Sequence, residues 1–169
     1  MFKPSFEEFC RLCEQGNLVP VYNEQLADME TPVSVLNRFS GRKQIFLLES
    51  VSGGGERFGR YSFVGLAPYA VFTVENGRPF LERNGGKTEL PLPPEGAFFA
   101  LREQMRDLRP AAPAGLPPLF GGAIGYLSYE TVNQFEHLPA PKAPLAVPEA
   151  TFLLTDEMII FDNVRHTVL

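Results

Sequence analysis

The chain has few of the residues that build metal or disulfide sites. Its 169 residues include two cysteines, Cys10 and Cys13, and two histidines, His137 and His166. A zinc site built on the cysteines would need a second ligand pair, and only the two histidines are available for it. A helix would place both cysteines on one face, so we predict packed thiols rather than a metal or redox pair.

Long apolar runs and a basic surface are also missing. No apolar run approaches the roughly 20 residues that cross a bilayer, and the first residues lack the apolar core of a signal peptide. The formal net charge is -5, with acids and bases interspersed, so no basic stripe is present. We therefore expect a cytoplasmic protein without a membrane or nucleic-acid partner.

The motifs typical of nucleotide binding and of nucleophilic catalysis are absent as well. The glycine-rich segment 53–58 breaks the dinucleotide fingerprint at its last position, and no Gly-Lys-Ser/Thr follows it. No serine lies in a nucleophile elbow, and neither histidine has a carboxylate partner that the sequence places beside it. We predict no catalytic residue and no cofactor in this chain.

One segment does indicate a site. Four apolar residues, 45–48, lead directly into Glu49 and Ser50, which is typical of a buried strand that brings polar groups to the rim of a core. An unpaired buried charge would cost several kcal/mol, so Glu49 must be exposed or paired. Two interpretations stay open. Glu49 forms a salt bridge with Arg57 or Arg60 while Ser50 caps the turn, or both residues line an amino-acid pocket.

The pattern of the remaining chain predicts an α+β fold. Helix signals lie near residues 5–15, after Thr31 and Pro32, and near 95–108. The pairs Asn76-Gly77 and Asn84-Gly85 favour two-residue hairpin turns, which indicates an antiparallel meander. Glycines in 121–130 indicate a strand that another backbone approaches closely. We predict an antiparallel sheet with helices packed on it, in one domain spanning 1–169.

Six ordered blocks give the chain a family resemblance. Leu-Leu-Glu-Ser at 47–50 and the blocks at 17–22, 28–34, 56–65, 121–130 and 161–164 are similar to the N-terminal region of anthranilate synthase component I. That protein is a member of the chorismate-utilising enzymes. Aminodeoxychorismate synthase component I shares the Gly-Tyr and Tyr-Glu pairs of the fifth block but is less similar at 30–34 and 48–50. The chain also ends inside an apolar run, so we expect an incomplete piece of such a protein.

The resemblance implies a function for the complete protein. It would be a lyase that converts chorismate to anthranilate with ammonia from glutamine, the first committed step of tryptophan biosynthesis. The chorismate and Mg²⁺ residues would lie in a C-terminal catalytic domain that is absent here, so the chain alone would be inactive. Its partners would be that domain, a glutamine amidotransferase subunit (component II) and L-tryptophan as allosteric effector.

The same resemblance assigns the site residues. Glu49, Ser50, Arg60 and Tyr61 would contact tryptophan in a feedback-inhibition site, and the remainder of the pocket would come from the missing region. In that arrangement Glu49 accepts from the α-ammonium and Ser50 bonds the polar end of the ligand. The alternatives are the N-terminal region of aminodeoxychorismate synthase component I, or a stand-alone module that binds an amino acid without catalysis.

Overall fold

The computed structural model describes residues 1–49, 59–134, 136 and 146–169, without the side chains of 133 and 134. Within these residues the α-helices are α1 (Phe6–Cys13), α2 (Pro32–Arg38) and α3 (Ala100–Met105), with 3₁₀ helices at Ala97–Phe99 and Tyr129–Gln134. The strands are β1 (Phe2–Lys3), β2 (Tyr22–Asn23), β3 (Gln25–Leu26), β4 (Phe46–Glu49), β5 (Tyr61–Gly65), β6 (Ala70–Glu75), β7 (Arg78–Arg83), β8 (Gly86–Glu89), β9 (Gly122–Leu127), β10 (Ala150–Thr155), β11 (Met158–Asp162) and β12 (Thr167–Val168). This α+β architecture with antiparallel sheets confirms the predicted fold class.

The chain divides into two compact units. Unit 1 comprises Met1–Pro68, Leu108–Gly122 and Thr155–Leu169, and unit 2 comprises Tyr69–Asp107 and Ala123–Leu154. The unit 1 sheet has the strand order β3-β12-β11-β5-β4, beside a small β1-β2 pair. The unit 2 sheet has the order β8-β7-β6-β10-β9. That residues 1–169 form one domain stays a prediction.

Unit 2 is built from hairpins that the sequence encodes locally. Asn76 and Gly77 join β6 to β7 with φ angles of 52° and 72°, and Asn84 and Gly85 join β7 to β8 with 53° and 77°. Positive φ at both central residues is what a type I′ turn requires, so both predicted hairpins are confirmed. The core beneath them contains Phe72, Val74, Ala150 and Leu154 of the sheet with Leu101 of α3.

The predicted close approach at the glycine-rich strand is also confirmed. A Cβ atom added to Gly125 in β9 would lie 1.8 Å from the carbonyl oxygen of Thr151 in β10. No side chain fits in that space, so only glycine lets β9 lie this close to its neighbour.

Unit 1 begins its second helix where the sequence predicts it. Thr31 and Ser34 exchange side-chain to backbone hydrogen bonds in a capping box, and Pro32 is the first helical residue. α2 then buries Val35 against Val64 of β5 in the unit 1 core. Leu36 and Phe39 pack at the margin of the same core.

The packed-thiol prediction for α1 is wrong. Ser5 caps the helix as expected, with its Oγ accepting from the Glu8 N–H at 3.2 Å. Cys10 and Cys13 are both exposed, however, and Leu12 is the buried residue of the helix. Leu12 and the half-buried Phe9, three residues apart, define the inner side of α1, whereas both cysteines are exposed to solvent. No helix of the described ranges is long and apolar enough to cross a membrane.

Candidate functional site

Three of the four predicted site residues lie at the same end of two neighbouring strands. Glu49 is the last residue of β4, and its Cα partner across the ladder is Ser62 of β5. Arg60 directly precedes β5, and Tyr61 is the first residue of that strand. Ser50 lies outside the described residues. Antiparallel pairing thus brings the two ends of the segment from Glu49 to Arg60 together.

β4 is an edge strand rather than the buried strand that its apolar run predicts. It is last in the unit 1 strand order, and Leu48 is 41% exposed. The ring of Phe46 lies over Gly65, since a Cβ there would come within 1.9 Å of it, and this contact gives Phe46 its partial burial. A run of apolar residues is the same in a central and an edge strand, so the sequence could not distinguish them. Glu49 is therefore exposed at the strand end.

The ladder register places the site residues on two faces of the sheet. Side chains directly opposite each other share a face, and successive side chains alternate. Glu49 shares a face with Ser62, on the side where Leu47 and Val64 meet α2. Tyr61 and its Cα partner Asp162 lie on the opposite face.

Asp162 is the functional candidate that the sequence reasoning missed. It is 4% exposed and accepts hydrogen bonds from Arg60: Nε donates to both carboxylate oxygens at 3.2 Å, and Nη2 donates to Oδ2 at 2.7 Å. The Arg60 guanidinium also lies 4.8 Å from the centre of the Tyr61 ring. The sequence feature that could have identified Asp162 is its position directly after the apolar run 158–161.

Hydrogen bonding keeps this buried carboxylate charged. Burial by itself would raise the pKa of Asp162, but the hydrogen bonds from Arg60 and from the backbone N–H groups of Arg165 and Val164 outweigh it, so the pKa is lowered. Those backbone donors lie 3.1 Å and 3.2 Å from Oδ1. The hydrogen bond to Asp162 raises the pKa of Arg60. Both partners are therefore ionised at neutral pH.

Asn163 holds the same strand end from the other side. Its backbone N–H donates to the Arg60 carbonyl at 2.7 Å, and its Nδ2 donates to the carbonyl of Gly59 at 3.1 Å and to Ser62 Oγ at 3.2 Å. Asp162, the last residue of β11, and Asn163, which follows it, thus fix the start of β5.

The salt bridge predicted between Glu49 and Arg60 is not formed. Arg60 pairs with Asp162 instead, because the β5-β11 register brings that carboxylate beside it. Arg57, the other predicted partner, lies outside the described residues. Within 1–49, 59–134, 136 and 146–169, no ion pair of Glu49 is present.

Unit 2 has an open cleft of about 420 Å³ that the sequence did not predict. Its lining includes three carboxylates, those of Glu75, Glu130 and Glu149. Two of them already have donors: Lys87 Nζ lies 2.7 Å from both oxygens of Glu75, and the Gly77 N–H donates to Glu149 at 3.0 Å. In the described part of the chain, no group of three acidic, histidine or cysteine side chains is arranged to hold a metal ion.

The fold of the chain is similar to that of a solved structure. The chain matches a crystal structure of anthranilate synthase component I from Streptococcus pneumoniae with a TM-score of 0.51. The match covers 87% of this chain and 30% of that chain at 21% identity, so the two share the fold. No family model matches the sequence.

Comparison of sequences gives a more specific relationship. The chain is 35% identical over 170 residues to anthranilate synthase component 1 of Acetivibrio thermocellus, which is 99% of this chain and 34% of that protein. It is 38% identical over 176 residues to the protein of the same name from Neisseria gonorrhoeae, again covering 34% of the relative. The chain is therefore similar in sequence to anthranilate synthase component 1 over nearly its whole length, which confirms the predicted resemblance. It spans about a third of the length of these relatives.

Proposed function

We propose that this chain is the N-terminal region of an anthranilate synthase component I. The observation that carries the proposal is the 35% identity to such a protein over 99% of the chain, within 34% of the relative's length. In the complete lyase this region would act with a C-terminal catalytic domain to convert chorismate to anthranilate in tryptophan biosynthesis. Ammonia would come from glutamine through component II, an amidotransferase subunit, in the cytoplasm.

The chemistry would take place outside this chain. Elimination and amination of chorismate need a metal or acid–base cluster. By the family resemblance, the chorismate and Mg²⁺ ligands would belong to the catalytic domain. This region would supply structure and regulation.

We propose further that the region contributes to a feedback site for L-tryptophan. Glu49, Ser50, Arg60 and Tyr61 are the candidate contacts, carried over from the family resemblance. Pairing of β4 with β5 puts Glu49 and Tyr61 at the same end of the sheet, with their side chains on opposite faces. Tryptophan would inhibit by binding an inactive arrangement more tightly than the active one, and a tenfold preference corresponds to about 1.4 kcal/mol.

An assay of anthranilate formation tests whether the catalytic activity requires the region outside this chain. The chain alone, given chorismate, ammonia and Mg²⁺, is expected to produce no anthranilate fluorescence above a blank without protein. The full-length polypeptide that carries this region is expected to turn over under the same conditions. Reproducible anthranilate formation by the repurified chain would contradict the proposal.

Ser50→Leu in the full-length polypeptide tests the feedback site. The substitution removes a hydroxyl and adds bulk where the polar end of the ligand is placed, so tryptophan binding should weaken by about 1–3 kcal/mol. Uninhibited turnover should change little because the catalytic groups lie elsewhere. Ser40→Leu, at an exposed serine after α2, is the matched control. An unchanged inhibition midpoint for Ser50→Leu would remove Ser50 from the site.

A further inference from the structure

The two cysteines of α1 form an exposed pair of thiols. Cys10 and Cys13 are the only cysteines of the chain, and both are free and exposed to solvent. They lie three residues apart in α1, whose buried residue is Leu12. Oxidation of a thiol requires that the oxidant can reach the sulfur. Packing therefore protects neither cysteine from an oxidant in solution.

Helix geometry holds the two thiols close together. Residues three apart on an α-helix are neighbours on one face, with Cα atoms about 5 Å apart and Cβ atoms about 5–6 Å apart. A disulfide accepts Cα separations of about 4.4–6.8 Å but needs Cβ atoms about 3.5–4.5 Å apart. The Cβ atoms of Cys10 and Cys13 therefore need to approach by roughly 1–2 Å before the sulfurs can bond.

The end of α1 can supply this movement. Cys13 is the last helical residue. Beyond it, the N–H groups of Gln15 and Gly16 both donate to the Leu12 carbonyl, at 2.9 Å and 3.1 Å. The last turn of a helix has fewer intrahelical hydrogen bonds than the interior and its residues shift more easily. A small movement of Cys13 toward Cys10 therefore leaves the rest of α1 in place.

We propose that Cys10 and Cys13 form a reversible dithiol–disulfide site whose oxidant is glutathione disulfide. The thiolate of one cysteine attacks a sulfur of glutathione disulfide, which forms a mixed disulfide and releases one glutathione thiolate. The thiolate of the other cysteine attacks the protein sulfur of that mixed disulfide, which forms the Cys10–Cys13 bond and releases the second glutathione. The two protein thiols lose two electrons and two protons, and glutathione disulfide gains them as two glutathione thiols.

The same geometry makes the disulfide easy to reduce. A disulfide that departs from the preferred geometry is more reducible, and exposed disulfides are the labile ones. Excess reduced glutathione should therefore restore both thiols. The proposal concerns α1 alone, so it goes beyond the proposed function and does not depend on it.

Peptide mapping of the full-length polypeptide tests the site. Trypsin cleaves after Arg11, so the two cysteines fall in different peptides, one ending at Arg11 and one beginning at Leu12. The protein is incubated with glutathione disulfide, quenched with acid, alkylated and digested without reduction. Mass spectrometry then distinguishes free thiols, glutathione adducts and peptides linked by the Cys10–Cys13 disulfide.

Three variants provide the controls. Cys10→Ser and Cys13→Ser each leave one thiol without its neighbour. A spacing variant combines Cys13→Ser with Gln15→Cys, at an exposed position, so that two thiols remain but no longer share a helical face.

The expected result is a disulfide link that only the parent forms efficiently. In the parent, linked peptides should exceed glutathione adducts at least tenfold, because the second thiolate displaces glutathione. Each single-cysteine variant should retain a glutathione adduct instead, and the spacing variant should form at least tenfold less of the link. Excess reduced glutathione should remove the link from the parent.

Several outcomes would overturn the proposal. Stable glutathione adducts on the parent without linked peptides would mean that the two thiols do not meet, and no reaction at all would mean that they are not reactive. Linked peptides found only in a dimer on a non-reducing gel would place the bond between two chains. Parental linking in the spacing variant would show that the helical face of α1 does not bring the thiols together.

Discussion

The two units of this chain are stabilised in different ways. In unit 2, β6, β7 and β8 follow one another through two-residue turns, and their core is an apolar cluster against α3. In unit 1, β11 and β12 come from the end of the chain and pair with strands from its first third, and an ion pair between Arg60 and Asp162, 102 residues apart, joins the start of β5 to β11. Ion pairs of unit 2, such as Lys87 with Glu75, lie on the surface.

The difference concerns the interactions that each unit would lose on substitution. Apolar packing and local turns stabilise a unit without specifying a ligand site. The buried Asp162 carboxylate carries a desolvation cost, which its hydrogen bonds from Arg60 and the backbone offset.

Phe72→Ala should cause the largest loss of stability. Phe72 is fully buried in the centre of unit 2, between Leu81 of β7 and Phe152 of β10. Removing a buried ring leaves a cavity, and the free energy of unfolding should fall by about 3–5 kcal/mol in urea denaturation. Leu92→Ala, at an exposed position of the same unit, should have little effect. A small loss for Phe72→Ala would mean that apolar packing is not what stabilises unit 2.

Asp162→Asn should destabilise unit 1 by a smaller amount. The variant loses charge-assisted hydrogen bonds from Arg60 and two backbone N–H groups, and a loss of about 1–3 kcal/mol in the free energy of unfolding is expected at neutral pH. The same urea titration measures it. A loss as large as that of Phe72→Ala would contradict the contrast between the two units.

The Asp162 contribution should depend on pH. Its folded-state pKa is lowered, so the unfolded chain takes up the proton first as the pH falls. The stabilisation is therefore complete above the ordinary value of about 3.9 and is lost as the pH falls through the folded pKa. The stability difference between the parent and Asp162→Asn should be constant near neutrality and shrink below about pH 4. A stability difference that persists in acid would mean that it does not depend on the charge of Asp162.

Gly77→Ala should cost about 1 kcal/mol because alanine disfavours positive φ. Gly77 has a φ of 72° in the β6-β7 turn, and no atom lies within 4 Å of an added Cβ, so the cost comes from backbone conformation alone. Gly41→Ala, which also has free space and no positive φ, is the control and should be neutral. Thermal unfolding of both variants, compared with the parent, measures the effect.

Lys87→Ala should have the smallest effect. Lys87 Nζ lies 2.7 Å from both oxygens of Glu75, but both side chains are partly exposed, so the pair should contribute at most about 1 kcal/mol. High salt should reduce even this difference. Lys43→Ala, at an exposed position of unit 1, gives the baseline for losing a surface lysine. A loss that is insensitive to salt would point to packing of Lys87 on the Phe80 ring instead.

Much of the local structure could be predicted from the sequence. The α2 cap at Thr31 and Pro32, both Asn-Gly hairpins and the close approach at Gly125 depend on neighbouring residues or on the absence of a side chain, and each was predicted correctly. The inner side of α1 was not, because Phe6, Cys10 and Leu12 are all compatible with burial and only the packed structure selects Leu12.

The sequence by itself determined the α+β class, the turns and the family resemblance, since these depend on short-range conformational preferences and on ordered motifs. Only the tertiary structure decided that β4 lies at an edge, that Glu49 and Tyr61 occupy opposite faces, and that Arg60 pairs with Asp162. The physical reason is the range of the interaction: strand order and register join residues about a hundred positions apart, and no local pattern encodes which partner they meet.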